Sequence, residues 1–236
     1  MNLDANTEAI IAMCWARMHE LPDDAFLPHR DGPETARIED PNDGESLSHV
    51  RLFGQGVLSG PAWALDAARP YDDDALTPHR LLTLAAGHGP RLLGEAALAY
   101  TDRYIEHPDL AGARVTDDPA AVTDLMARCP ADDIGESGVE EMTDRWVLLD
   151  AADLPVALAG YQMWGDIIAH LGVLTALDDR RRGHGGLVAA AAVNEALDAG
   201  LVPQWRARLD NRSSLALASV LGFERIGTQT TILLSD

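Results

Sequence analysis

DIIAHLGVLTALDDRRRGHGGLVAAAAVNEALDAG, residues 166 to 200, decides how the chain is read. An alternating run rich in β-branched residues, Ile167 to Thr175, reads as a strand. It ends in a turn of arginines and glycines, and the turn opens directly into an alanine-rich helix that runs to about Ala199, with Gly200 as its C-cap. The first turn of a helix has N–H groups without intrahelical acceptors, and the macrodipole adds partial positive charge there, so the junction is suited to hold a phosphate. Gly183, Gly185 and Gly186 remove the Cβ atoms that would keep a ligand away from that backbone.

The flanks extend the alternation of strand and helix. Upstream, Ala113 to Asp117 reads as an edge strand, with helices expected at about 119–127 and 138–142. Trp146 to Leu149 and Val156 to Met163 form an expected hairpin around Asp150 to Asp153. Downstream come a strand at 204–209, a helix over 213–221 capped by Asp210 or Asn211 and ended by Gly222, and two closing strands at 223–226 and 230–234.

The first 110 residues are less periodic. Ile10, Ile11, Cys14, Trp15 and Met18 recur at helical spacing over 5–20, with Asn6 or Thr7 as the candidate cap. Residues 21–48 read as loop, 49–53 as a short strand, and 61–69 and 78–86 as helices, the latter capped by Thr77. Residues 91–100 fit a strand or a buried helix, and 106–112 read as a linker. Two parts follow, an N-terminal lobe of about 1–110 and a domain of about 111–236.

Composition narrows the classes of function. With 236 residues, 47% of them hydrophobic, the chain supports sizeable cores. Its formal net charge is −20 and all 18 basic residues are arginine, so nucleic acid is not an expected partner. Against that acidic background the cluster Arg180, Arg181 and Arg182 stands beside an anion-binding turn. Two distant cysteines, Cys14 and Cys129, give no disulfide framework, and the scattered histidines have no metal-ligand spacing, so no metal is expected. No apolar run reaches the length of a membrane span, and a cytoplasmic protein is the expectation.

The string Arg180-Arg181-Arg182-Gly183-His184-Gly185 resembles the signature of the GNAT acyltransferase superfamily, Arg or Gln, two residues, Gly, one residue, Gly or Ala. Thr175 at the end of the preceding strand and the unit LDNRSSLALASVLGF at 209–223 extend the resemblance, which covers about 111–236. It implies a mixed, mostly antiparallel α/β sheet flanked by helices, and transfer of an acetyl group from acetyl-CoA to a primary amine of a small molecule or peptide. It further implies that the amides of Arg181 to Gly186, His184 included, hold the pyrophosphate with the arginine side chains adding charge. The main chain of Val173, Leu174 and Thr175 would meet the pantetheine and thioester carbonyl, with Asn211 and Ser214 as cofactor-side contacts.

Amine acetylation also needs a base and an acid. His170, on the strand leading to Thr175, is the candidate base, with Asp166, Glu140 and Glu141 as alternatives. The family's usual acid, a tyrosine seven residues after the asparagine, is replaced by Ala218, and Ser219 points about 100 degrees away on a helix. That departure keeps open a second reading, a CoA-binding or regulatory module of low activity. The N-terminal lobe would shape the acceptor pocket, complete the core, mediate a homodimer, or itself be the working part of an interaction protein.

Overall fold

The computed structural model describes residues 3–27, 36–39 and 44–235. In chain order the elements are α1 Ala5–Met18, β1 Ala36–Glu39, β2 Ser46–Leu52, β3 Gln55–Gly60, α2 Ala62–Ala68, α3 Pro78–Leu84, β4 Arg91–Tyr100, β5 Arg114–Thr116, α4 Pro119–Met126 and α5 Ala131–Ser137. They continue with β6 Asp144–Leu149, β7 Pro155–Trp164, β8 Ile168–Thr175, α6 His184–Asp198, β9 Val202–Arg208, α7 Arg212–Val220 and β10 Glu224–Leu233. This is a mixed α/β protein whose strand pairs are mostly antiparallel.

The chain packs as two compact units, each assembled from separate stretches. The first holds Tyr100–Trp205 and Ala216–Glu224, with Leu3; the second holds Asp4–Ala99, Arg206–Leu215 and Arg225–Asp236. In the first, the strands run in the order β9-β8-β7-β6-β5, antiparallel except for the parallel pair β8 and β9. One core lies under α4, where Ala121, Val122 and Leu125 meet Val147, Leu158 and Leu174. Each of the Val and Leu side chains contributes about 1.5–3 kcal/mol of burial. α6 lies against β7 and β8 and buries Val188, Ala189, Ala190, Ala192, Val193 and Ala196, whose small side chains bring helix and strands close.

In the second unit the order is β1-β3-β2-β10-β4. β2 and β3 form a hairpin whose turn, Phe53 and Gly54, has φ of 51° and 84°. Two positive φ values are what a two-residue hairpin turn of type I′ requires. Leu47, Leu58 and Ile232 pack with Ala64, Ala68, Leu76 and Leu81 from α2, α3 and the segment between them.

Several elements differ from the sequence expectation. The helix expected at 138–142 lies earlier, at α5, because Pro130 starts it and Gly138, at φ 64°, ends it in the left-handed conformation. The loop expected over 21–48 contains β1 and the start of β2; residues 28–35 and 40–43 of that stretch lie outside the described ones. β3 was hidden in the turn-like text QGVLSG. The two closing strands are one, β10, and Gly227 at its middle is required because a Cβ there would lie 2.0 Å from the carbonyl oxygen of Arg51. α1 is capped by Asp4, which accepts from the N–H groups of Asn6 and Thr7 at 2.8 and 2.9 Å, and not by Asn6 or Thr7. The ambiguous 91–100 stretch is a strand.

Candidate active site

The geometry of β8 organises the site. Its parallel ladder to β9 runs Ile168↔Val202, Ala169↔Pro203, His170↔Gln204 and Leu171↔Trp205, and stops there. Across the other edge β8 stays paired with β7 to its end, through Gly172↔Gly160, Val173↔Ala159, Leu174↔Leu158 and Thr175↔Ala157. Among the described residues, Gly172 to Thr175 therefore pair along one edge only. Their other edge offers main-chain donors and acceptors to an extended ligand arm, in the manner of an added strand.

Period-two alternation sorts the side chains of β8 onto two faces. Gly172 and Leu174 face α4 and α5, and the paired glycines Gly160 and Gly172 form a slot for Met142. A Cβ on Gly172 would lie 2.0 Å from the Ser137 carbonyl oxygen and 2.2 Å from Met142 Cε; one on Gly160 would lie 2.9 Å from Met142 Sδ. Val173 and Thr175 face α6: a Cβ on Gly185 would lie 3.1 Å from Thr175 Oγ1 and 3.6 Å from Val173 Cγ1. Gly185 is thus what lets the first turn of α6 seat on the end of the strand.

Between strand and helix the backbone reverses through Arg181 at φ 60° and Gly183 at φ 86°. Gly183 is the N-cap of α6, no side chain caps that end, and its carbonyl accepts from Leu187 N at 3.0 Å. The N–H groups of His184, Gly185 and Gly186 precede the first intrahelical bond and have no acceptor within the helix. A Cβ on Gly183 would meet open space, whereas one on Gly186 would lie 3.5 Å from Leu217 Cδ1.

The three arginines divide by role. Arg180 donates from Nη2 to Asp133 Oδ2 and from Nε to the Thr175 carbonyl at 3.4 Å, tying the turn to α5 and to the strand end. Arg182 pairs with Asp179 at 3.4 Å, and the same buried carboxylate accepts from Arg128 at 2.8 Å. Arg181, exposed, makes no ion pair among the described residues. Asp179 and Arg128 are structural holders of the turn that the sequence did not single out, since Arg128 lies 51 residues upstream of its partner. Cys129, nearby, has its thiol pushed up chiefly by burial, which keeps it protonated and unreactive.

His170 stands opposite Gln204, one residue before β8 and β9 part, with Nδ1 2.9 Å from Gln204 Oε1 and its ring stacked on Trp164. Of the alternative bases, Asp166 lies in the β7–β8 turn at the far end of the strand, at φ 59°, and Glu140 and Glu141 are exposed after α5. Asn211 caps α7: its Oδ1 accepts from Ser214 N at 3.0 Å and from Ser213 Oγ at 2.9 Å. Ala218 is buried and Ser219 beside it is exposed, so the helix turns the hydroxyl away from the alanine's side. Tyr161 is buried and its phenol is pushed up first by burial and then by Asp144 and Glu195, so it stays protonated.

Residues 153–232 match the family model of GNAT acetyltransferases. That GNAT match spans about a third of the chain and includes β7, β8, the glycine turn, α6, β9, α7 and nearly all of β10. Among solved structures, a Drosophila protein is 19% identical at a TM-score of 0.51, covering 66% of this chain and 56% of its own. A GCN5-related N-acetyltransferase-like protein from Streptococcus suis is 20% identical at 0.48, covering 79% and 83%. A GNAT-family acetyltransferase from Novosphingobium aromaticivorans is 19% identical at 0.44, covering 63% and 69%. At 19% identity, the likeness to the Drosophila protein is one of fold. The curated proteins contain no match to the chain.

Among the described residues no helix is long and apolar enough to cross a membrane, and no cluster of His, Cys, Asp and Glu could hold a metal ion.

Proposed function

We propose that the protein is an acyltransferase that moves an acetyl group from acetyl-CoA to a primary amine of a small molecule or peptide, by direct attack. The observation that carries this reading is the parting of β8 from β9 after Leu171 and Trp205, leading straight into an uncapped helix start with glycines on it. The residues fit such a substrate: the amides of His184 to Gly186 stand in succession without intrahelical acceptors, and a Cβ on Gly183 would meet open space. From Thr175 back to His170 the strand rises about 16 Å, a span comparable to an extended pantetheine arm.

In this reading the amides of Arg181 to Gly186 bind the pyrophosphate, and Arg181 supplies the mobile charge. Arg180 and Arg182 keep the turn in shape through Asp133 and Asp179. The main chain of Val173, Leu174 and Thr175 orients the arm and polarises the thioester carbonyl. Asn211 and Ser214 enter on the strength of the resemblance. His170 takes the proton of the attacking amine, directly or through one water. Solvent protonates the departing thiolate, because Ala218 has no proton to give.

That alanine also favours a second reading, a CoA-binding module of low turnover. The two are separated by measuring thiol release from acetyl-CoA across a panel of amines. Acceptor-dependent release above hydrolysis supports the enzyme; saturable binding with none supports the module. A homodimer and a cytoplasmic setting are compatible with the same reading.

A further inference from the structure

Behind His170 lies a chain of polar contacts that the scheme above does not use. Gln204 is completely buried, and its side-chain amide has both ends occupied. Nε2 donates to the phenol oxygen of Tyr100, itself buried, and Oε1 lies 2.9 Å from His170 Nδ1. A primary amide has donors at one end and acceptors at the other. With the NH2 group given to Tyr100, the carbonyl oxygen faces the imidazole, and a carbonyl has no proton to donate. Nδ1 therefore carries the hydrogen, and in a neutral ring that leaves the lone pair on Nε2.

The ring is fixed in a second way. The Trp164 indole lies 4.0 Å from it, centroid to centroid, at an interplanar angle of 21°. Trp164 is held in turn by donation from Nε1 to Gln162 Oε1 at 2.9 Å, and Gln162 is the β7 residue opposite His170. Stacking sets the plane and the hydrogen bond sets the rotation within it. Neither partner is expected of a histidine that only fills space on a half-buried strand.

We infer that Gln204, backed by Tyr100, is a positioning residue that holds His170 in its Nδ1–H tautomer and so makes Nε2 the proton acceptor. This rests on the reading of His170 as the base. In the step, the lone pair of the neutral amine forms the C–N bond, and the C–S bond breaks with its pair on sulfur. The amine proton passes to Nε2, the thiolate takes a proton from water, and the imidazolium returns its extra proton to solvent. Gln204 Oε1 accepts from Nδ1 throughout and favours the cationic ring as it forms.

Long-range proton–nitrogen spectra of the uniformly 15N-labelled protein at pH 8 read the tautomer without any substrate. The expected result is a protonated Nδ1 and an unprotonated Nε2 for His170 in the wild type, and a shift toward Nε2–H in Gln204→Leu. If burial makes that variant misfold, Tyr100→Phe frees the amide to rotate and is expected to give a mixture of tautomers. An Nε2–H ring in the wild type, or no change in any folded variant, overturns the inference. In turnover, Gln204→Leu is expected to lower kcat about tenfold or more with KM for acetyl-CoA little changed. Gln204→Glu, which keeps an acceptor at Nδ1, is expected to restore most of the rate and move the acidic limb of the pH profile upward. The base assignment is read separately from His170→Ala: unchanged turnover across pH 6–9 removes the catalytic meaning of the relay even where the spectra show Nδ1–H.

Discussion

Single residues in the glycine turn carry the most specific chemistry. Gly183 sits at φ 86° with open space around it, so alanine there clashes with nothing and still costs about 1–2 kcal/mol through its left-handed backbone. Gly183→Ala is therefore expected to leave the fold intact and to weaken coenzyme A binding, by shifting the amides and narrowing access to them. Thermal melting and calorimetric titration of the same sample separate the two effects. Asp179 has a different role. It is a buried carboxylate shared by Arg128 and Arg182, and Asp179→Ala leaves the half-buried Arg128 without its charge partner. A loss of about 2–4 kcal/mol is expected, measured by urea unfolding, with KM for acetyl-CoA raised because the turn loses its anchor. The glycines and the arginines were legible in the sequence because they are contiguous. Asp179, Arg128, Gln204 and Tyr100 were not, because their meaning lies in partners 51 and 104 residues away.

At the scale of elements, β8 is held on both faces by close approach. Gly172 and Gly160 make room for Met142, and Gly172→Ala would drive a methyl group into the Ser137 carbonyl at the end of α5. Overpacking of this kind is expected to cost about 1–3 kcal/mol, read as a lower midpoint in denaturant. α1 supplies a pH test. His19, at its C-terminal end, stacks on Trp15, and burial lowers its pKa. A histidine kept neutral by folding binds fewer protons in the folded than in the unfolded chain. Stability is then full above the unfolded pKa and declines as pH falls below about 6.5, until the folded pKa is passed. His19→Gln is expected to flatten that part of the stability curve between pH 7 and pH 5. Strands and helices with clear periodicity, β6 to β8, α4 and α6, were readable from sequence. β3 and the middle of β10 were not, because Gly56, Gly60 and Gly227, required by the close approach of the Asp73 side chain, the Leu47 side chain and the Arg51 carbonyl, look like turn residues when read alone.

For the whole molecule, the division at residue 110 is a proposal about function, and the packing bears on how to test it. β10, near the C-terminus, pairs with β2 over seven residues from Gly227↔Leu52 to Leu233↔Ser46 within the second unit. Ile232 of β10 is fully buried in the core that Leu47, Leu58 and Leu81 form. A chain lacking residues 1–110 loses those partners and exposes that strand. It is expected to be insoluble or to unfold without cooperativity, as checked by expression and thermal melting, so loss of acetyl transfer in it would not locate a catalytic role in the lobe. Substitutions at exposed positions of α1, α2 and α3 are the cleaner probe of what the lobe does.

Calorimetric titration of the 236-residue chain with coenzyme A is the decisive test of the cradle at the glycine turn. The amides at residues 183 to 186, beside the unpaired edge of β8, predict saturable heat at one site per chain, weakened in Gly183→Ala at unchanged folded content. An absence of heat with the folded wild type, or equal binding by wild type and variant, would contradict it.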